Sequence, residues 1–363
     1  MKIQSVEVRH VRLPSEERIV GAPVFPSQMR DYVTLQLRTA DGLEGIGVTA
    51  FGGALIAALK TAVTEFAGLI TGCDPLGTEA IAARLRDAAA ACLPGGIATL
   101  AMSAIDIALW DIRGKAFNTP LWKLLGGLRD EVPAYASGAL MRTTPIAAIE
   151  TASADLVKKG YRQIKAQMAI GGLSDAQEIE RIRRIRNVVG PDIAVMVDVN
   201  QRWRTHEAIS IGRRIEDIGL AWLEDPIACG DYRGLAKVAD ALATPVCAGE
   251  YLWGIEPFRE LMGHGSVDIV MIDLLRAGGV TPWMKIAGMA EAFNLPVVSH
   301  LLPEIHVHLV AAVPNGLVVE YMPWTWRLFA DPPVPEAGRL KAPAGAGLGL
   351  RLAPDLLDRF AVS

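Results

Sequence analysis

Residues 3–8 (Ile-Gln-Ser-Val-Glu-Val) and 32–37 (Tyr-Val-Thr-Leu-Gln-Leu) alternate apolar with polar positions, the period of two that predicts strands with one buried face. Ala40-Asp-Gly-Leu43 supplies the Asp-Gly pair of a hairpin turn. From Thr99 to Lys115 the apolar residues recur at helical spacing with few breakers, and Asn118-Thr-Pro120 ends the run. Up to Gly127 the chain therefore reads as an α+β module. Beyond it, short apolar strands alternate with helices in cycles of about 25 residues, the rhythm of β/α units and a parallel sheet. The predicted strands are Ala134–Gly138, Gln163–Gln167, Ala194–Val199, Ala221–Glu224, Val246–Ala248, Ile269–Ile272, Val297–Ser299 and Val318–Glu320.

Eight strands at this repeat suit a TIM-type barrel. The helices after Thr144 and Ser174 are read as its outer helices, and the Glu- and Arg-rich face of the second as solvated, with no function assigned. From Ala330 onward Pro and Gly dominate, so a meandering C-terminal segment is expected to pack back on the N-terminal module. The expected division is residues 1–127, an α+β capping domain, 128–330, the barrel, and 331–363, the C-terminal segment.

The length of 363 residues agrees with two domains or one large barrel with an appendage. At 51% hydrophobic and 21% charged residues with a formal net charge of −4, the chain falls outside the disordered, collagenous and membrane classes. No basic run or interleaved aromatic stripe suggests a nucleic acid partner. Cys73, Cys92, Cys229 and Cys247 share no metal-ligand spacing and read as reduced thiols. The N-terminus alternates like a strand and lacks an apolar signal or membrane run, so a cytoplasmic protein without a membrane partner is expected.

Active-site groups in such barrels project from the C-terminal ends of the strands, and here those ends are acidic. Asp198 closes one strand, Glu224 the next, and Glu250 follows the third, about 26 residues apart. Three converging carboxylates repel one another unless a cation holds them, and all-oxygen ligation favours a hard ion, Mg2+, one per subunit. Asp273 and His300 lie at the next two strand ends. A carboxylate beside an imidazole fixes its tautomer, which makes His300 a candidate general base. His10, His206, His264, His306 and His308 read as surface or packing residues. Lys165, near the end of the second barrel strand, is placed to pair with a substrate carboxylate and stabilise charge as a proton leaves. Glu320 closes the eighth strand, where acidic neighbours would keep it protonated and able to donate.

At these residues the chain resembles the enolase superfamily and, within it, the mandelate racemase subgroup. MSAIDIALWDIRGKAFNTPLWKLLGG, MVDVNQ, LEDPI, AGE, DLLRAGG and VSHLLPE follow one another in the order and spacing that carry the resemblance. It implies an α+β cap over a modified (β/α)7β barrel, Mg2+ on Asp198, Glu224 and Glu250, and an enediolate intermediate with the Asp273–His300 dyad as base or acid. It also implies that Lys165 and Glu320 contact the substrate carboxylate, that Ser137 hydrogen-bonds it, and that Gln167 and Asn200 bind substrate. Capping-domain loops, here Ile19–Arg30 and Ala50–Gly53, would select a small carboxylate substrate, an acid sugar or its lactone. Homo-oligomers are common among relatives and are expected.

The family's second strand carries Lys-x-Lys, with the second lysine as the base opposite the histidine. Here the run is Lys165-Ala166-Gln167, and an amide carries no proton at neutral pH. That disfavours a racemase or epimerase and leaves a one-base reaction. Dehydration of an acid sugar is the first choice and ring opening of a sugar-acid lactone, as by a cycloisomerase, the alternative. A non-catalytic relative that binds metal and acid sugar is a third reading. Arg30, Arg202, Trp203, Arg204, Trp324 and Arg327 are loop residues that could meet hydroxyls or a second carboxylate.

Overall fold

The computed structural model describes residues 1–14, 19, 29–50 and 53–362. Of the two loops expected to select substrate, 20–28 and 51–52 lie outside the described residues.

Strands β1 (Ile3–Pro14), β2 (Met29–Thr39) and β3 (Glu44–Thr49) form an antiparallel sheet, with the Asp-Gly turn between β2 and β3 as expected. Helices α1 (Ile56–Leu69), α2 (Thr78–Ala88) and α3 (Gly96–Ala116) follow. The helix predicted from Thr99 is α3, and it is buried nearly all round because it lies against both β3 and the barrel. β3 meets it through Gly45 and Gly47. A Cβ there would stand 2.2 Å from the Ala108 carbonyl oxygen and 1.9 Å from that of Ala104, so only glycine permits this approach.

Eight parallel strands close the barrel: β4 (Glu131–Leu140), β5 (Gln163–Gln167), β6 (Ala194–Asp198), β7 (Trp222–Glu224), β8 (Val246–Ala248), β9 (Ile269–Asp273), β10 (Val297–His300) and β11 (Gly316–Tyr321), with β11 pairing back to β4. Each of the eight predicted strands overlaps one of these. Helices fill the seven crossovers, which is the (β/α)7β arrangement. Tyr135, Met196, Trp222, Cys247, Ile269, Met271, Val298 and Val318 pack in a core of their own, apart from the larger one beneath the helices and cap. No helix among the described residues is long and apolar enough to cross a membrane.

The C-terminal segment touches both parts: β12 (Arg339–Lys341) runs antiparallel to β4, and β13 (Ala361–Val362) to β1. Buried Asp111 of α3 accepts from the N–H groups of Ile46 and Leu348 at 3.0 and 2.9 Å and pairs with Lys115 at 2.7 Å, joining cap sheet, helix and segment. Asp106 accepts from the Thr281 backbone N–H and hydroxyl at 2.8 and 2.6 Å, fixing the same helix to the barrel.

His306 and His308, on the helix Pro303–Ala312, are fully buried. His308 Nε2 donates to the Leu348 carbonyl at 3.0 Å and Nδ1 accepts from the Trp122 N–H at 3.3 Å; His306 Nδ1 donates to the Leu301 carbonyl at 2.6 Å. Burial pulls both rings down to about 4. A folded value below the unfolded one of about 6.5 means stability that is complete above 6.5 and lost as pH falls through about 4. Each ring is expected to withdraw about 3 kcal/mol of unfolding free energy over that range. Urea titrations along the pH scale should show it, and H308L should flatten the profile; an unchanged slope would contradict the buried neutral imidazole.

Candidate active site

Side chains on a strand alternate between its faces, so the residue two places beyond an inward apolar residue also points into the barrel, nearer its mouth. Tyr135 is followed in this way by Ser137, Met196 by Asp198, Trp222 by Glu224, Met271 by Asp273, Val298 by His300 and Val318 by Glu320. In-register pairing sets Gln167 beside Asp198, Asp198 beside Glu224, and Asp273 beside His300. The polar groups therefore form a ring at the strand ends, above an apolar floor.

Glu224, Asp225 and Glu250 each offer a carboxylate oxygen within 4.8 Å of the others. Asp198 stands outside that trio, with Oδ1 accepting from the Asn200 N–H at 2.8 Å and Oδ2 from Gln167 at 3.4 Å. Burial raises Glu224 to about 8 and Asp198 to about 6, Lys165 opposing the rise and neighbouring carboxylates adding to it. Both oxygens of buried Asp225 have no hydrogen-bond partner among the described residues. A buried carboxylate without donors, among others raised together, is stable only if a cation or protons neutralise the group. The donor set, all hard oxygen, fits a divalent ion of the Mg2+ type.

Lys165 Nζ donates to Glu224 Oε1 at 2.5 Å and lies 2.8 Å from Glu320 Oε1. Burial opposes its charge, but Glu224 and Glu320 outweigh it and hold the ammonium firmly protonated. Glu320 also accepts from the Leu301 N–H at 2.7 Å. Burial raises its proton affinity, yet Lys165 and His300 bring it below the usual carboxylate range. Glu320 is thus ionised, which corrects the expectation of a protonated donor: the nearby cations outweigh its acidic neighbours.

His300 Nδ1 donates to Asp273 Oδ2 at 2.6 Å, and Nε2 lies 3.3 Å from Glu250 Oε2. Asp273 Oδ1 accepts from the Arg276 N–H at 2.7 Å. Burial, Arg276 and His300 leave Asp273 at about 2, the two cations overcoming the first, so it is a fixed anion that selects the His300 tautomer with Nε2 turned to the carboxylates. Burial lowers His300, but Glu250 and Asp273 raise it to about 9.

On the β5–β6 side, Gln167 Nε2 donates to Asn200 Oδ1 at 3.2 Å, Oε1 accepts from the Arg142 backbone N–H at 3.2 Å, and Asn200 Nδ2 donates to the Tyr251 hydroxyl at 3.2 Å. Ser137 Oγ meets only the Met322 sulfur, at 3.8 Å. All these groups border one cavity of about 720 Å3 whose upper wall includes Met29, Arg30, Ala50 and Gly53 of the cap. Arg30 stacks on Trp324, 3.3 Å from the ring centroid. Arg202 and Trp324 border the cavity as well; Trp203, Arg204 and Arg327 do not.

Asp225, Arg142, Glu178 and Arg181 were not singled out by the sequence. Glu178 and Arg181 belong to the helix Asp175–Val189 and are buried, which corrects the reading of that polar face as solvated. Arg181 donates to the carbonyls of Gln167 and Met141 at 2.7 and 2.8 Å, and Glu178 accepts from the N–H groups of Ala169 and Ile170. Together they anchor the ends of β4 and β5 beneath the site. The available signal was the pair Glu178 and Arg181 three residues apart at the inner edge of an amphipathic helix.

Two family profiles match the chain: "Mandelate racemase / muconate lactonizing enzyme, N-terminal domain" over residues 6–126 and "Enolase C-terminal domain-like" over 147–356. The L-talarate/galactarate dehydratase of Salmonella typhimurium is 32% identical over 97% of this chain and 89% of its own. The 3,6-anhydro-alpha-L-galactonate cycloisomerase of Streptomyces coelicolor is 30% identical over 99% of each. The crystal structure of L-talarate dehydratase from Polaromonas sp. JS666, complexed with Mg and L-glucarate, superposes with a TM-score of 0.92 at 30% identity, covering 100% of this chain and 98% of that one.

Proposed function

Because the chain belongs to the enolase superfamily, in its mandelate racemase and muconate lactonizing enzyme branch, we propose that it abstracts the proton α to the carboxylate of an acid sugar or its lactone and completes a β-elimination. The observation that carries this reading is the His300–Asp273 pair set against four buried carboxylates, with Lys165 between Glu224 and Glu320.

Asp198, Glu224 and Glu250, with Asp225 beside them, would hold Mg2+, which supplies the positive charge that makes the α-proton acidic and relieves the Glu250 charge that keeps His300 protonated. Lys165 adds a fixed cation on the substrate carboxylate, stabilising the enediolate as the C–H bond breaks. His300 Nε2 takes the proton, and Asp273 stabilises the resulting imidazolium. Ionised Glu320 keeps Lys165 charged and in place. Ser137, Gln167 and Asn200 position the substrate; residues 1–127 close the site from above, 128–330 carry the chemistry, and 331–363 tie the two together.

The test is incubation with Mg2+ and acid sugars or their lactones in deuterium oxide, followed by proton NMR. A 2-keto-3-deoxy product, lost on chelation, is expected. Tight substrate binding with neither product nor deuterium at any α-carbon would favour the binding-only alternative and end the catalytic reading.

A further inference from the structure

This inference rests on the reading of His300 as the base and concerns what leaves. In the closed barrel β5 and β6 stand across from β10, so a group expelled on the face opposite His300 meets Gln167, Asn200 and Arg142. Both amides are locked. Gln167 is held by the Arg142 backbone N–H and by Asn200, and Asn200 Oδ1 accepts from Gln167 and from Arg142 Nη1. Neither has a proton to give near neutral pH. Arg142 follows β4 and reaches over the ends of β5 and β6, donating through Nε to the Met168 carbonyl at 2.5 Å, through Nη1 to Asn200 Oδ1 at 2.5 Å and through Nη2 to the Asp198 carbonyl at 3.3 Å. A guanidinium has five N–H groups. The other two have no protein partner among the described residues, and Arg142 borders the cavity.

This wall offers permanent positive charge and hydrogen-bond donors, with no acid among the three groups. Hydroxide is a poor leaving group without a proton, whereas a carboxylate departs as it is, and its planar pair of oxygens matches a guanidinium edge. The geometry points to Arg142 as the receptor of a departing carboxylate, and to the monolactone of a dicarboxylic sugar acid as the substrate class. His300 Nε2 takes the proton α to the free carboxylate, and the C–H electron pair enters the enediolate. As that collapses, the Cα–Cβ double bond forms, the Cβ–O bond breaks, and its pair leaves on the former lactone carboxylate, which Arg142 binds. The enol then takes a proton at Cβ and ketonises. The open-chain 2-keto-3-deoxy diacid is an isomer of the lactone: nothing is oxidised or reduced, no water is gained or lost, and one acid proton is released at neutral pH. The nearby O–H, that of Tyr251, lies on the Glu250 side and accepts from Asn200.

The experiment compares monolactones of five- and six-carbon dicarboxylic sugar acids with the matching open-chain acids, using the Mg2+-loaded wild type, R142M and R142K, by proton NMR in deuterium oxide and by proton release. Lactones are expected to open and open-chain acids to stay intact. R142M should lower lactone opening by about 10²–10³-fold while α-proton exchange persists, because the base is untouched; R142K should recover part of the loss. A merely structural arginine would depress exchange and opening together, and that result overturns the assignment. Dehydration of open-chain acids with inert lactones would also overturn it, leaving His300 as base and requiring a proton from His300 or Tyr251. Absence of product and exchange throughout would overturn the base reading and this inference with it.

Discussion

Replacing His300 with asparagine is expected to lower turnover by about three to four orders of magnitude, the upper part of what a positioned general base contributes. The fold should survive, because the amide can donate to Asp273 Oδ2, which now accepts from Nδ1 at 2.6 Å, and the site's other contacts do not pass through the ring. Exchange of the α-proton should vanish with turnover, since Gln167 across the barrel cannot take over. The pH profile separates this from a structural effect. His300 must be unprotonated to act, so kcat/KM of the wild type rises with pH. Burial lowers the ring's proton affinity, while Glu250 and Asp273 raise it to about 9. A divalent ion on Glu250 withdraws the larger of these two raising influences, so the rise should fall below 9 in the loaded enzyme. In H300N that limb should disappear. A variant within tenfold of wild type, or one that keeps the limb, would sink the assignment.

The barrel was legible because its signal is local and repeated. Each strand is a short apolar run with a chemically active residue two places beyond an inward one, and the expected strand ends fall within a few residues of those observed. The same alternation explains what was passed over. Asp225 directly follows Glu224 and should face the helices, away from the metal side; its φ of 39° breaks the alternation and turns both carboxylates inward. A left-handed aspartate before a proline has no signature in hydrophobic periodicity. Arg142 lies beyond Leu140, where β4 ends, two residues later than the pattern indicated, and its reach over two further strands is a tertiary fact. Glu178 and Arg181 have the composition of a solvated helix face, and only the position of the β5 loop beneath them makes them internal. The state of Glu320 was misjudged for a related reason. Its neighbours in sequence order suggested a cluster of like charge, whereas Lys165 and His300 dominate its surroundings in space.

Replacing Lys165 with methionine is expected to damage stability and catalysis together, and the two can be separated. The lysine is buried, bonded at 2.5 Å to Glu224 and 2.8 Å from Glu320, so K165M leaves uncompensated buried charge, at a cost of about 3–5 kcal/mol. A divalent ion can balance Glu224, but Glu320 keeps only the Leu301 N–H and a more distant imidazolium. The double variant K165M/E320Q removes that charge while its amide oxygen still accepts from Leu301, and it should regain most of the lost unfolding free energy in denaturant titrations. Turnover should not return. The cation that balances a substrate carboxylate as it becomes an enediolate is still missing, and removing such a stabiliser typically costs about 10²–10³ in kcat. Calorimetric titration with Mg2+ tests whether the carboxylate cluster is intact in both variants. If K165M/E320Q recovered turnover along with stability, Lys165 would be a structural counter-ion for Glu320, and charge stabilisation in the enediolate would have to come from the metal alone.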